Sequence, residues 1–280
     1  MPSPGDVPEH FARTTQRFFV TRATTTFVSD LDGTLLTNQA TVSEFTERVV
    51  NEVSSSHNMV LATGRPPRLV KSFAATFPNV RSVICANGAF HLDLMTGELT
   101  QFGTIDGTAA LEIVHRIKKA DPGAAFAVES VVGHRREHGY ASDHPVPERL
   151  YGTIEDIVKG GIAKMLIRLS HPVDRAGADQ LSNIVGDLGV LTVSNPTFYE
   201  VAPAGVTKAT GVAALDLTGD TVAYGDMPND IALLEWADLG VAVANADRDV
   251  RAAAQCVLDL TNDEDAVALH MVRLLGLNLR

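Results

Sequence analysis

Short apolar runs alternate with longer helix-like stretches at both ends of the chain. The run "TFVSD" (26–30) precedes "TVSEFTERVVNEVSSS", a helical segment beginning near Ser43. Ser43 with Glu47 marks an N-terminal cap region, although the spacing misses a strict capping box by one residue. Next come "NMVLA" (58–62), a helix expected through "PPRLVKSFAATF", and "SVICA" (82–86). Towards the other end, "TVAYG" (221–225) precedes the helix "NDIALLEWA" and "LGVAV" (239–243) precedes "DRDVRAAA". "CVLDL" (256–260) precedes a last helix, "EDAVALHMVRLLG". Strands rich in Val, Ile and Ala, apolar on both faces and separated by helices, indicate a parallel sheet covered on each side. The six candidate strands suffice for one doubly wound α/β sheet of Rossmann-like type.

The middle of the chain breaks this rhythm. A hairpin pattern surrounds Thr96-Gly97 in "FHLDLMTGELTQF", followed by the helix "GTAALEIVHRIKKA" and the strand-like "AAFAVES". A polar stretch, "GHRREHGYASDHP", leads to the strand-like "AKMLIRLS" and the helix "RAGADQLSNIVGDL". This reads as an α+β unit over 91–196, inserted between core segments at 26–90 and 197–280, with an N-terminal extension over 1–25. The stretch holding His134, Arg135, Arg136, His138 and His144 is expected to be a solvated loop, with an anion or sugar contact as the alternative. It has no defined spacing for a zinc site. Trp236 is expected in the core.

Composition narrows the partners. The chain has 23 basic and 34 acidic residues, a net charge of −11. That argues against nucleic-acid or anionic-membrane surfaces, which need a basic footprint. No run approaches the ~18 apolar residues of a membrane-spanning helix. The first 25 residues lack the apolar centre of a secretory signal. Arg13, Arg17 and Arg22 faintly resemble a transit peptide, but Asp6 and Glu9 run against it, so the expected location is cytoplasmic. Cys85 and Cys256 lie in apolar runs and are expected to be buried reduced thiols.

The polar residues gather where strands end. Asp30 closes the first strand, with Asp32 just beyond it, and the second runs into Thr63, Gly64 and Arg65. The third runs into Asn87. The strand at 221–225 leads to Asp226, Asn229 and Asp230, and the next leads to Asn245, a possible helix cap. Carboxyl ends of strands form the ligand crevice of an open α/β sheet. Acids converging there repel by about 4 kcal/mol per pair at ~4 Å and an effective dielectric of about 20. A divalent cation relieves this, and oxygen-only donors favour a hard ion such as Mg²⁺. One carboxylate can then ligate the metal and attack phosphorus, while a second, two residues on, moves protons. Thr63, with backbone N–H groups near Leu31 and a lysine, would hold phosphoryl oxygens. Lys208, opening an apolar helix in "GVTKATG", supplies that lysine.

"DLDGTLL", "ATGRP", "GVTKATG" and "GDMPND", in this order, resemble the four motifs of the haloacid dehalogenase-like phosphatases. "ANGA" and "VAVANA" resemble the Cof-type subgroup (subclass IIB), whose large α/β cap lies between the second and third motifs. The resemblance implies Asp30 as nucleophile, Asp32 as general acid/base, and Thr63 and Lys208 as phosphate stabilisers. It places Mg²⁺ on Asp30, the Asp32 backbone carbonyl and Asp226, with Asn229 and Asp230 ligating or orienting. Leu31, Gly64, Arg65, Asn87 and Asn229 join Thr63 and Lys208 as candidates for binding the phosphate. Asp32 favours hydrolysis or mutase chemistry, because the superfamily's transport ATPases have no acid there. The expected activity is hydrolysis of a small phosphorylated metabolite, with sugar phosphates leading. A phosphomutase and a non-catalytic phosphate-ligand-binding module are the alternatives.

Overall fold

The computed structural model describes residues 24–141, 147–195 and 197–278. Along the chain its strands are β1 (Thr25–Ser29), β2 (Asn58–Ala62), β3 (Ser82–Cys85), β4 (Phe90–Asp93), β5 (Leu99–Gln101), β6 (Ala125–Ser130) and β7 (Gly133–Glu137). These are followed by β8 (Tyr151–Gly152), β9 (Lys164–Arg168), β10 (Val190–Asn195), β11 (Phe198–Ala202), β12 (Asp220–Gly225), β13 (Leu239–Ala242) and β14 (Cys256–Val257). The helices are α1 (Glu44–Ser56), α2 (Phe73–Thr76), α3 (Gly107–Ala120), α4 (Ile154–Ile157), α5 (Arg175–Val185), α6 (Lys208–Ala213), α7 (Ile231–Trp236), α8 (Arg248–Ala253) and α9 (Ala266–Leu275). The chain divides into two compact units. Of the described residues, one unit holds those up to Leu61, Ala74–Arg81 and those from Asp216 onwards; the other holds those within Ala62–Phe73 and Ser82–Leu215.

The first unit carries five strands in the order β14-β13-β12-β1-β2. All pair in parallel, with Phe27 beside Val222 on one side and Met59 on the other. Every residue of β1 is buried, as expected for a parallel strand covered on both faces. From β1 the chain moves first to β2 and later returns on the opposite side at β12. The sheet therefore changes direction at β1, and the carboxyl ends of β1 and β12 flank the point where such sheets open a crevice. Helices α1 and α9 pack together. The Ser43 hydroxyl caps α1 by accepting from Thr46 N–H at 2.9 Å.

The second unit holds the antiparallel run β3-β4-β5 and a six-stranded sheet in the order β10-β11-β9-β6-β7-β8. One face of the latter sheet, with Phe126, Val128, Met165, Ile167, Tyr199 and Val201, buries an apolar core under α3 and α5. Lys164, Glu200 and Glu129 occupy alternate positions of the same strands, so they belong to the other face. Here α6 packs on β3 and the turn that follows it.

Four expectations are corrected. The helix through 66–77 is broken into a 3₁₀ turn, Pro67–Leu69, and the four-residue α2. Pro66 and Pro67 fix a tight start, and Val70, Phe73 and Phe77 are anchored by burial. Leu69, Val70 and Phe73 N–H each bond three residues back rather than four. The strand expected over 256–260 pairs only at β14, Cys256 and Val257. The stretch from Gly133 to Glu137 is strand β7, not a solvated loop, and Arg136 is buried beneath Tyr140 and Tyr151. Trp236 is 39% exposed, because it ends the short α7 while Leu233 and Leu234 fill the core. Both cysteines are free thiols; Cys85 is buried and Cys256 half-buried. Burial pushes the Cys85 thiol up to about 12. His144 and residues 1–23 lie outside the described residues.

Candidate active site

In the first unit the parallel sheet delivers acids to the crevice. Asp30 follows β1 directly, and its N–H donates to the Tyr224 carbonyl of β12 at 3.0 Å, which ties the two strand ends together. The chain then turns sharply: the Leu31 carbonyl accepts from Leu35 N–H at 3.1 Å and Leu36 N–H at 2.8 Å. Gly33 makes the turn possible, with φ at +81° and no room for a Cβ, which would run into the Asp226 carboxylate. Thr34 hydroxyl donates to Asp226 Oδ1 at 2.9 Å. Asp226 and Met227 N–H both donate to Asp230 Oδ2 at 3.1 Å.

Asp30, Asp226 and Asp230 are all buried, and one carboxylate oxygen from each lies within 4.8 Å of the others. Three buried carboxylates so close repel one another, and a bound cation would relieve that repulsion. An all-oxygen donor set of this size fits a hard divalent cation. The side chain of Asp32 is exposed and Asn229 is half-buried. Asn245 is not a helix cap, because Asp247 caps α8. Instead its Nδ2 donates to the Gly33 carbonyl at 2.8 Å, and its Oδ1 accepts from Asn262 N–H at 3.0 Å. It braces the turn behind Asp32.

The second unit gathers the other candidates around two turns. Thr63 is fully buried; its N–H donates to the Ile84 carbonyl at 2.8 Å and its hydroxyl accepts from Arg65 N–H at 3.0 Å. Asn87 N–H donates to the Thr63 carbonyl at 3.1 Å, and Ala86 N–H to the Arg65 carbonyl at 3.0 Å. Arg65 lies over the Phe73 ring. Asn87 adopts a left-handed backbone conformation, φ 58° and ψ 33°, which asparagine tolerates better than most residues. Lys208 is 1% exposed at the start of α6. Thr207 and Thr210 cap that start reciprocally. The helix approaches closely because Gly88 has no Cβ to strike the Thr207 carbonyl. Leu31, Asp30, Asp32, Asp226, Asn229 and Asp230 thus belong to the first unit, and Thr63, Gly64, Arg65, Asn87 and Lys208 to the second.

Sequence reading passed over several residues of this second cluster. Lys164 donates to the Gly64 carbonyl at 2.7 Å and to Glu200 at 2.6 Å. Glu129 accepts from Arg68 at 2.7 Å and pairs with His134 at 2.8 Å. Burial alone would raise the Glu129 carboxyl, but the His134 and Arg68 bonds hold it below the ordinary carboxylate range. The available signal was a charged residue inside an apolar strand, as in "AKMLIRLS" and "FYEVA".

A doubly wound parallel sheet with buried carboxylates at its switch point defines an α/β protein whose ligand crevice is acidic. The chain belongs to the haloacid dehalogenase-like hydrolases, whose family model matches residues 27–271. It is 28% identical over 237 residues to phosphoglycolate phosphatase of Natronomonas pharaonis, covering 82% of this chain and 89% of that one. It is 27% identical over 272 residues to the chloroplastic endoribonuclease YBEY of Arabidopsis thaliana. That match takes in 85% of this chain but 44% of the relative, so the chain spans less than half of that protein. The solved structure of the HAD subclass IIB sugar phosphatase BT4131 superposes with a TM-score of 0.75 at 19% identity, covering 90% of this chain and 99% of that one. The family is consistent with a phosphoric monoester hydrolase. Among the described residues no helix is long and apolar enough to cross a membrane.

Proposed function

We propose that the protein is a Mg²⁺-dependent phosphatase acting on a small phosphorylated metabolite, with sugar phosphates as the leading class, through an aspartyl-phosphate on Asp30. The observation that carries this reading is the convergence of Asp30, Asp226 and Asp230 at the switch point of the sheet. Residues 26–90 and 197–280 are taken as the catalytic core, 91–196 as a cap that selects the leaving group, and the cytoplasm as the place of action.

Asp30, Asp226 and Asp230 would hold Mg²⁺, with the Asp32 carbonyl and Asn229 completing or orienting the set. When bound, the ion supplies positive charge against the phosphoryl oxygens and lets Asp30 approach them. Asp30 attacks phosphorus while the bond to the leaving oxygen breaks. Asp32, whose side chain is exposed, donates its proton to that oxygen. It then takes a proton from water as the water attacks phosphorus, and Asp30 is released with phosphate. Thr63 and Lys208 hold phosphoryl oxygens throughout, assisted by backbone N–H groups at Leu31 and Gly64 and by the side chains of Arg65, Asn87 and Asn229.

The test is hydrolysis in isotope-labelled water across a panel of phosphate esters with Mg²⁺. Label in free phosphate, and activity lost to EDTA and restored by Mg²⁺, are the expected results. Transfer of the phosphoryl group to a sugar without labelled phosphate would mark a mutase. Tight binding with no turnover across the panel would mark a binding module. Activity undiminished by EDTA would overturn the metal requirement.

A further inference from the structure

Lys164 on β9 and Glu200 on β11 are both charged and both withdrawn from solvent, with side chains 4% and 3% exposed. Their contacts run to the two turns that carry Thr63 and Asn87. The Lys164 ammonium donates to Glu200 Oε1 at 2.6 Å and to the Gly64 carbonyl at 2.7 Å. The other Glu200 oxygen accepts from Asn87 Nδ2 at 3.1 Å. One buried ion pair therefore holds a backbone atom of the first turn and a side chain of the second.

Stability alone is a poor reason for such a pair. Desolvating two charges costs about as much as their attraction returns, and an apolar replacement is often neutral or stabilising. The second turn, however, needs external support. Ala86 and Asn87 both have positive φ, 50° and 58°, and two successive non-glycine residues in that region store about 1 kcal/mol or more each. Such a conformation persists where surrounding contacts over-determine it. Glu200 supplies one through the Asn87 side chain. Lys164 fixes Gly64, the residue between Thr63 and Arg65.

We propose that Lys164 and Glu200 are positioning residues that set the geometry of the Thr63–Arg65 and Ala86–Gly88 turns. Neither touches the reacting atoms. The coupling is mechanical and stands by itself, while its catalytic consequence rests on the phosphatase reading of those turns.

Amide hydrogen exchange of residues 63–65 and 86–88, in the unsubstituted protein and in Lys164→Met, tests it. Exchange at both turns should quicken by about tenfold or more, with slowly exchanging amides of β1 and β12 unchanged. With an aryl phosphate, kcat should fall by about 10²-fold, because small misplacement of binding groups is costly. Mg²⁺ affinity should stay within about twofold, since Lys164 is not among the groups that would bind it. Exchange at both turns within about twofold of the unsubstituted protein would overturn the proposal. If Lys164→Met does not fold, Lys164→Met/Glu200→Gln, which leaves no orphan charge, carries the same measurement and the same criterion. Were the unsubstituted protein inactive on every phosphate ester, the phosphatase reading would fall, and exchange would still decide the positioning role.

Discussion

Gly33 shows how little freedom the acids of the first unit have. Its positive φ and the Asp226 carboxylate beside it exclude any side chain. Gly33→Ala should therefore displace Asp226, weakening Mg²⁺ binding and hydrolysis by about 10²-fold. Titration calorimetry with Mg²⁺ and steady-state kinetics would show it, and unchanged values would remove the turn from the site. Asp30 and Asp226 were legible in the sequence because each acid follows an apolar strand directly, so strand position alone brings them to one end of the sheet. Lys164 and Glu200 were not legible as partners. Which face of a strand meets which loop depends on pairings between segments some 36 residues apart, and no local pattern records them.

At the scale of elements, the α1 start joins two helices. Ser43 caps α1, and its hydroxyl and that of Thr46 both donate to Asp265 Oδ1, at the head of α9. Ser43→Ala should lower unfolding stability by about 1–2 kcal/mol, read as a shift of the urea midpoint with an unchanged slope. The cap at Ser43 was readable from residue type. The broken helix after Pro66 was not, because its apolar residues suit a helical period and only their burial at Val70, Phe73 and Phe77 reveals the tight turns. The polar composition of 133–137 likewise hid a strand, since Arg136 is buried by stacking on tyrosines rather than by being apolar.

For the whole molecule, His270 gives a pH signature. It is buried against Tyr224, whose hydroxyl lies 2.9 Å from Nδ1, and burial lowers its pKa from 6.5 to about 4, with Arg273 adding to the effect. The folded state thus binds this proton less readily than the unfolded chain. The contribution is fully present above pH 6.5 and is lost as pH falls towards 4. At about 1.4 kcal/mol per pH unit it amounts to about 3 kcal/mol. Urea midpoints of the unsubstituted protein and His270→Phe should converge in that window on acidification; a constant gap between pH 7 and pH 4.5 would refute it. The most direct test of the proposed chemistry is steady-state hydrolysis of an aryl phosphate by Asp30→Asn with saturating Mg²⁺. A nucleophilic Asp30 predicts a loss of about 10³-fold or more in kcat, whereas activity retained within about tenfold would contradict it.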